Sequence, residues 1–304
     1  MPTHPSPIAS QPAQQDARTT QNIKGALLMM LAMFIFSAVD TLAKLLSSDF
    51  HVLQIVWTRQ LGLLVCVLVL LAVKGRQLFR THYLPLQLLR GLVAIGSAVL
   101  FIMAISYVPL ADAITVTFIA PFIVTIASAW LLKEQVGIYR WSAVAIGFIG
   151  TLIVLRPGLA SFHPALLLAL IAAILFALRQ IISRYIGSYD STMTTIVYTA
   201  LIGFGVLSLP QLFIFEMPTQ PRHIALMAAM AILAALGEIL VIKALEVALA
   251  VAVAPIHYTI LIWGSLYGYF VFGHIADFWT WLGAGVIICS GLFTLYREYL
   301  RSRA

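Results

Sequence analysis

FIAPFIVTIASAWLLKEQVGIYRW, residues 118–141, returns in altered form as YTILIWGSLYGYFVFGHIADFWTW, residues 258–281. Each copy is a long apolar run followed by a short polar break and a closing tryptophan, Trp141 or Trp281. The second copy begins nearly half of the 304-residue chain after the first. This spacing predicts that the chain consists of two repeats.

A second pair of segments gives nearly the same offset. GALLMMLAMFIFSA (25–38) aligns with PALLLALIAAILFA (164–177), and the shift between them differs by one position from that of the first pair. One nearly constant offset therefore relates a first repeat, 24–157, to a second repeat, 164–297.

The two ends of the chain differ from the repeats in composition. Residues 1–23 are rich in Pro, Gln, Ser, Thr and Ala and have no apolar period, so we predict a disordered tail. Residues 298–304 form a short basic tail.

The composition is that of a membrane protein. The chain is 62% hydrophobic and 10% charged, whereas soluble domains carry about 25% charged residues. A soluble all-helical protein with very long core helices is the alternative, but one soluble core cannot hide this much apolar surface. The net charge is +7. The charged residues fall between the apolar runs and not along one polar face, which argues against nucleic-acid binding.

The apolar runs number ten. A membrane-spanning helix needs about 20 mainly apolar residues, and continuous runs fit helices better than the alternating strands of a barrel. The predicted spans are 25–46, 52–73, 86–107, 112–132, 140–156, 164–186, 191–215, 223–244, 251–272 and 279–296. We therefore predict an all-α membrane protein of ten transmembrane helices.

The loop charges predict the orientation. If the N-terminus is cytoplasmic, twelve Lys and Arg residues fall in the inside segments, whereas Arg156 and Arg222 fall in the outside loops. Because positive loops stay inside, we expect both termini to be cytoplasmic and the protein to lie in the cell (inner) membrane.

Each repeat has five spans, and five is an odd number. The second repeat must therefore enter the membrane from the opposite side, which makes the repeats inverted. Inverted repeats are typical of secondary transporters, whose substrate site lies near the midplane between the repeats.

Residues 254–298 resemble the drug/metabolite transporter superfamily, in particular its EamA-type exporters with ten helices. The first repeat has a similar order of residues, from Ala111 through Pro121 and Leu132-Lys133-Glu134 to Trp141, then Gly147 and Gly150. The family usually has Gly-Glu after the ninth span. Here that place holds Gly273-His274, which puts the role of that carboxylate in doubt.

The resemblance implies export of small metabolites, often amino acids, without ATP hydrolysis. The sequence agrees on the last point, since it has no G-x-x-x-x-G-K-[ST] motif. We expect no cofactor and no metal.

Ionisable residues inside spans are candidates for function because they are costly there. By depth they form an outer layer and an inner layer, which we expect to flank an apolar midplane cavity and to hold its gates. The outer layer is Asp40, Lys44 and Arg59, and the inner layer is Arg90, Arg179, Glu238 and His257. A carboxylate such as Asp40 or Glu238 could also carry a coupling proton. The alternative is structural pairing, or snorkelling of Arg90, Lys44 and Arg179 to the headgroups.

The cavity itself is predicted near two prolines and the aromatic residues beside one of them. Proline breaks the backbone bonding of a span, which is tolerated beside a cavity. The candidates for cavity lining are Pro121, Pro255, His257, Tyr258, Trp263 and Tyr267. The alternative for these aromatic residues is core packing and interface anchoring.

Together these features predict a secondary transporter that exports small metabolites by alternating access, with aromatic or amphipathic amino acids as the favoured substrates. A multidrug or nucleotide-sugar carrier is the alternative within the superfamily. An intramembrane enzyme is a distant alternative, because the sequence offers no nucleophile with its base and no H-E-x-x-H motif. The expected partners are a small-molecule substrate and the lipid bilayer.

Overall fold

The computed structural model describes residues 11–131, 138–156, 163–248 and 253–301. Within these ranges the chain is helical and contains no strand. The α-helices are α1 (Gln11–Leu46), α2 (Val52–Lys74), α3 (Leu84–Tyr107), α4 (Leu110–Thr117), α5 (Ala120–Leu131), α6 (Ile138–Leu155), α7 (Ala165–Ile186), α8 (Thr192–Ile214), α9 (Pro221–Val247), α10 (Thr259–Phe272) and α11 (Phe278–Arg301). Two 3₁₀ helices cover Gly75–Phe79 and Ala254–Tyr258.

The predicted all-α class is confirmed. In the part of the chain that the structure describes, 7 segments are long and apolar enough to cross a membrane. Shorter apolar helices cover Trp141–Leu155, Ile256–Phe272 and Phe278–Phe293. Each of the ten predicted apolar runs therefore corresponds to a helical segment.

The fourth and ninth spans are interrupted. Span four is divided between α4 and α5, and the N–H groups of Phe118 and Ile119 bond back to Thr115 and Val116 at the break. Pro121 follows in the first turn of α5, where its missing N–H leaves no helical bond unmade. Span nine begins as the 3₁₀ helix Ala254–Tyr258, which carries Pro255 in its first turn.

The helices of one repeat pack mainly against helices of the other. The most extensive helix contacts are those of α1 with α9 and of α3 with α7. Because α1 corresponds to α7 and α3 to α9, exchange of the repeats turns one pair into the other. Helix α2 packs on its counterpart α8, and α6 packs on its counterpart α11. Likewise α1 contacts α10, while α7 contacts α4 and α5. This pattern is that of two repeats related by a pseudo-two-fold axis.

Small residues bring α6 and α11 together. A Cβ on Gly283 would lie 2.7 Å from the carbonyl oxygen of Gly150, so the two backbones approach closely. Ser290 donates a hydrogen bond of 2.8 Å to the carbonyl oxygen of Ala143. Exchange of the repeats maps Ala143 onto Gly283 and Gly150 onto Ser290. Close approach through small residues is typical of helix pairs in membranes.

The N-terminal segment differs from its prediction. We expected a disordered tail over 1–23, but residues 11–23 are helical and continue α1. Extension of an existing helix adds a backbone bond for each residue without a new nucleation step, and no residue between 13 and 46 is Gly or Pro except Gly25. Residues 1–10 lie outside the described ranges. At the other end α11 continues to Arg301, so the predicted tail over 298–304 is helical as far as it is described.

Candidate functional site

The packing differs between the two membrane surfaces. Ten crossings put both chain ends on one side of the bundle, here called the termini side, and the opposite surface is called the far side. A single large apolar cluster joins the helix ends of the far side, and Leu46, Phe50, Val108, Leu155 and Ala165 belong to it. Two smaller and separate clusters lie toward the termini side, one between α1 and α9 and one between α2 and α8. Among the described residues, one apolar cluster therefore spans the far side, while the termini side holds two further clusters that are separate from it.

The face of α9 that looks into the bundle follows the same trend. Met230 and Ala234, toward the far side, are 0% and 7% exposed. Glu238, one turn further along, is partly exposed, and Leu245 is 50% exposed. Gln180 on α7 is also exposed. Exposure along these positions of α9 and α7 therefore increases toward the termini side.

Asp40 and Arg59, two residues of the predicted outer layer, form an ion pair. The Nη1 atom of Arg59 lies 3.4 Å from Oδ1 of Asp40, which is buried. The guanidinium also lies 5.9 Å from the ring centroid of Phe36. This pair joins α1 to α2 in the interior of the bundle.

Lys44 does not pair with Asp40, although the two residues share a face of α1. Its Nζ donates a hydrogen bond of 2.5 Å to the carbonyl oxygen of Val108, at the end of α3. It also lies 5.2 Å from the ring centroid of Phe272. Lys44 therefore closes the far side by joining α1 to the ends of α3 and α10.

A second polar group closes the far side beside Lys44. Arg156, after α6, pairs with Asp277. Asp277 caps α11 by accepting the backbone N–H of Thr280 at 2.8 Å, and the Thr280 hydroxyl reaches Asp112 on α4 at 2.7 Å. Burial alone would raise the pKa of Asp277, but the hydrogen bonds from Thr280 and Arg156 bring that pKa below its usual value. This group was not predicted from the sequence, because Asp112 and Asp277 fall at the ends of spans.

The predicted inner layer also comes together. Arg90 on α3 donates through Nε to the Ser183 hydroxyl at 2.6 Å and through Nη1 to the Thr199 hydroxyl. Arg179 on α7 lies close enough to Arg90 for the two charges to repel, and Glu238 attracts both. The two layers are not fully separate, because Arg59 also acts electrostatically on Arg179.

Of the six cavity candidates, His257 lies near the charged residues and Tyr258 packs against the core. His257 exposes its side chain and lies within electrostatic reach of Arg179. Tyr258 packs edge-on against Phe118, with ring centroids 5.1 Å apart, and its hydroxyl lies against Gly291.

The other four candidates lie elsewhere. Trp263 and Tyr267 both pack on Phe34 of α1, with ring centroids 5.2 and 5.6 Å from it. This arrangement matches the alternative of helix packing better than that of a cavity wall. Pro121 is exposed, and the side chain of Pro255 lies outside the described part of the structure.

Each surface of the bundle also carries an Asp–His contact. On the termini side Oδ1 of Asp190 lies 3.1 Å from Nδ1 of His82. On the far side Oδ2 of Asp49 lies 3.6 Å from Nε2 of His223. The step along the chain from Asp49 to Asp190 equals the step from His82 to His223. The contacts are therefore copies of one another, and the matching Asp49 and Asp190 were the sequence signal that could have revealed them.

The two copies differ in strength. Asp190 is buried and accepts hydrogen bonds from the Thr81 hydroxyl, from the backbone N–H of His82 at 2.9 Å and from Nε2 of Gln87 at 2.9 Å. Burial alone would raise the pKa of Asp190, but these hydrogen bonds lower it to about 2. The side chain of Asp49, in contrast, is 50% exposed.

The comparisons with known proteins identify the class. Residues 23–156 and 163–296 each match the EamA-like transporter family. The chain belongs to this family. It is a multi-pass integral protein of the cell membrane and a transporter of the drug/metabolite superfamily, not an enzyme.

Several characterised relatives are transporters of small molecules. The chain is 32% identical to a riboflavin transporter of Vibrio cholerae, over 92% of this chain and 96% of that protein. It is 27% identical to an S-adenosylmethionine uptake transporter of Rickettsia bellii, over 93% and 97%. It is 25% identical to a pseudopaline exporter of Pseudomonas aeruginosa, over 90% and 96%.

A solved crystal structure has the same fold. It matches with a TM-score of 0.57 at 15% identity, and the match covers 92% of this chain and 96% of that one.

Proposed function

We propose that this transporter carries a small metabolite with a flat aromatic ring and polar edges, of the riboflavin type, through the interface between its two repeats. The observation that supports the proposal most directly is the group of charged side chains that both repeats supply to that interface. Asp40, Arg59 and Arg90 come from the first repeat, and Arg179 and Glu238 come from the second. Ionisable groups inside a membrane protein are functional sites by default, because they are costly to keep there.

The substrate class is inferred from the relatives. The riboflavin transporter shares 32% identity along nearly the whole chain. Riboflavin and S-adenosylmethionine each join a flat heteroaromatic ring to polar groups. Such a molecule could stack on Phe36 or Phe176 while its polar edge meets the arginines.

The described packing fits one state of an alternating-access cycle. The continuous far-side cluster would block access from that side, and the exposed Gln180, Leu245 and His257 would border an opening toward the termini side. With both termini cytoplasmic, as the loop charges predict, this state faces the cytoplasm. The second state would reverse the two surfaces, as inverted repeats allow.

Glu238 is the stronger of the two candidates for a coupling proton. Asp40 already has Arg59 as its partner, whereas no hydrogen bond or ion pair joins Glu238 to another described residue. Its nearest charges are those of Arg90 and Arg179. A carboxylate without a fixed partner can exchange a proton or a substrate cation as the site changes its exposure.

Amino-acid export is the second candidate function. The observation that favours it is the presence of both signs of charge, on Glu238 and Arg179, within one site. A zwitterion needs both, and a neutral flavin does not.

Counterflow in proteoliposomes tests these proposals. Vesicles loaded with unlabelled riboflavin, S-adenosylmethionine or a mixture of amino acids are exposed to the same labelled compound, with and without a pH gradient. Protein-free vesicles serve as the control. We expect riboflavin to exchange, and a pH gradient to alter its net uptake. Exchange of amino acids without exchange of riboflavin would favour the second candidate, and exchange of none of the compounds would overturn both.

A further inference from the structure

We propose that Arg179 is the substrate-anchoring residue, and that it binds a group with two neighbouring acceptor atoms, such as a carboxylate or the N1–O2 edge of a flavin. This inference rests on the proposed transport function and specifies the chemistry of its site. The bonding of Arg179 differs from that of the other arginines in the bundle interior.

Arg59 and Arg90 both have partners. Arg59 pairs with Asp40 at 3.4 Å, and Arg90 donates to the hydroxyls of Ser183 and Thr199. Within the described residues, Arg179 has neither a hydrogen-bond acceptor nor an ion-pair partner for its guanidinium. Its Nε is buried and has no hydrogen-bond partner, while the residue as a whole is partly exposed.

The charges around Arg179 do not balance. The interior group contains the guanidinium ions of Arg59, Arg90 and Arg179, but only the carboxylates of Asp40 and Glu238 among the described residues. Because Asp40 is paired with Arg59, Glu238 is left to balance the charges of both Arg90 and Arg179. One positive charge remains without a counter-charge, and an unpaired charge is costly away from water. An acceptor-rich ligand would remove this imbalance when it binds.

The geometry favours a planar ligand. The guanidinium of Arg179 lies 4.6 Å from the ring centroid of Phe176, one turn earlier on the same helix. A guanidinium is a flat fork of N–H donors that pairs with two oxygens at once, and stacking on an aromatic ring holds it in one plane. Phe176 therefore orients the fork and offers a flat surface beside it.

The site is also accessible. His257, which lies within electrostatic reach of Arg179, is an exposed residue, and so is Gln180, the next residue along α7. Neither neighbour is a carboxylate that would compete for the fork. A ligand entering from the termini side could reach Arg179 without breaking an existing ion pair.

The experiment compares Arg179→Lys, which keeps the charge and loses the fork, with Arg222→Gln, which removes an exposed arginine from the first turn of α9. The labelled probes are riboflavin and phenylalanine, and KM and kcat for counterflow are measured for each variant. For whichever probe wild-type protein carries, we expect Arg179→Lys to raise KM by about tenfold or more with a smaller change in kcat. Arg222→Gln should keep the wild-type values.

The ligand side gives a second readout on wild-type protein, which needs no variant to fold. Riboflavin with N1 replaced by C–H, which removes one of the two acceptors, and phenylalanine methyl ester are used as competitors against the carried probe. Weak competition by the modified compound supports the proposal and tells a flavin edge from a carboxylate. Equal competition, or an unchanged KM in Arg179→Lys, overturns it. If wild-type protein carries neither probe, the transport proposal fails instead, so the two failures are distinct.

Discussion

Asp40 and Arg179 occupy equivalent positions in the two repeats and carry opposite charges. Each lies on the first helix of its repeat and projects into the bundle interior. Asp40 is satisfied by Arg59, whereas the guanidinium of Arg179 has no fixed acceptor among the described residues. The two positions are thus equivalent in the repeats, but their side chains differ in charge and in bonding.

The carboxylates should therefore respond differently to neutralisation. Asp40→Asn removes the counter-charge of the partly buried Arg59, so we expect it to lower the free energy of unfolding by about 1–3 kcal/mol. Glu238→Gln breaks no ion pair and should leave stability within about 0.5 kcal/mol of wild type. If Glu238 carries the coupling proton, Glu238→Gln should also abolish the response of transport to a pH gradient. Thermal unfolding in detergent and transport at two external pH values measure both effects. A wild-type pH response in Glu238→Gln would exclude that role.

Cys66 offers a probe of the proposed opening toward the termini side. It lies two helical turns beyond Arg59 on the same face of α2 and is partly exposed. We expect a charged thiol reagent added from the termini side to modify Cys66 faster than the same reagent added from the far side. Substrate should slow the reaction. Cys289, which borders an apolar groove between α6 and α11, is replaced by serine to leave one thiol. Faster labelling from the far side would mean that the described state opens the other way.

Gly62 tests the packing of α2 on α9. A Cβ at this position would lie 1.8 Å from the carbonyl oxygen of Ala231, so the helices must separate to admit it. We expect Gly62→Ala to destabilise the protein by about 1–3 kcal/mol. Gly205→Ala on α8 is the matched control, because no atom lies within 4 Å of its Cβ position. It should leave stability equal or slightly raised. Equal unfolding temperatures for the two variants would contradict the close contact.

Asp190 predicts a particular dependence of stability on pH. Its folded-state pKa of about 2 lies below the value of about 3.9 for an unfolded chain. The charged form therefore stabilises the fold above pH 4, and this contribution is lost as pH falls toward 2. We expect Asp190→Asn to be less stable than wild type by about 2 kcal/mol at pH 7.

The difference should narrow in acid, and unfolding by denaturant at pH 7 and at pH 3 measures it. Asp49→Asn, the counterpart on the far side, should cost less because its side chain is 50% exposed. Equal losses in the two variants would show that the hydrogen bonds of Asp190 add nothing.

Much of the fold could be predicted from the apolar runs and from the nearly constant offset between the two repeats. The ten spans were predictable because a bilayer requires long apolar helices, and that signal is local. The helical segment over 11–23 was not, because whether a polar segment continues a helix depends on the helix beside it. The breaks near Pro121 and Pro255 were anticipated, since proline removes a backbone donor wherever it stands.

The site was harder to predict. Depth estimates brought Asp40 near Arg59, and Arg90 near Arg179 and Glu238, because membrane depth follows from position along a helix. The direction of a side chain around its helix could not be predicted. Trp263 and Tyr267 were cavity candidates because they are aromatic residues in the span of Pro255, but they pack on Phe34. Depth also could not show that Lys44 donates to Val108 and does not pair with Asp40.

The unequal Asp–His contacts bear on how such carriers evolve. Asp190 holds the termini side through several hydrogen bonds, while Asp49 holds the far side through His223 and a bond from Ser48. Substitutions in these loops would change which state is populated at rest without altering any residue that faces the substrate. The occupancy of the two states at rest and the residues that face the substrate can therefore vary independently of each other, and both uptake transporters and exporters occur among the relatives of this chain.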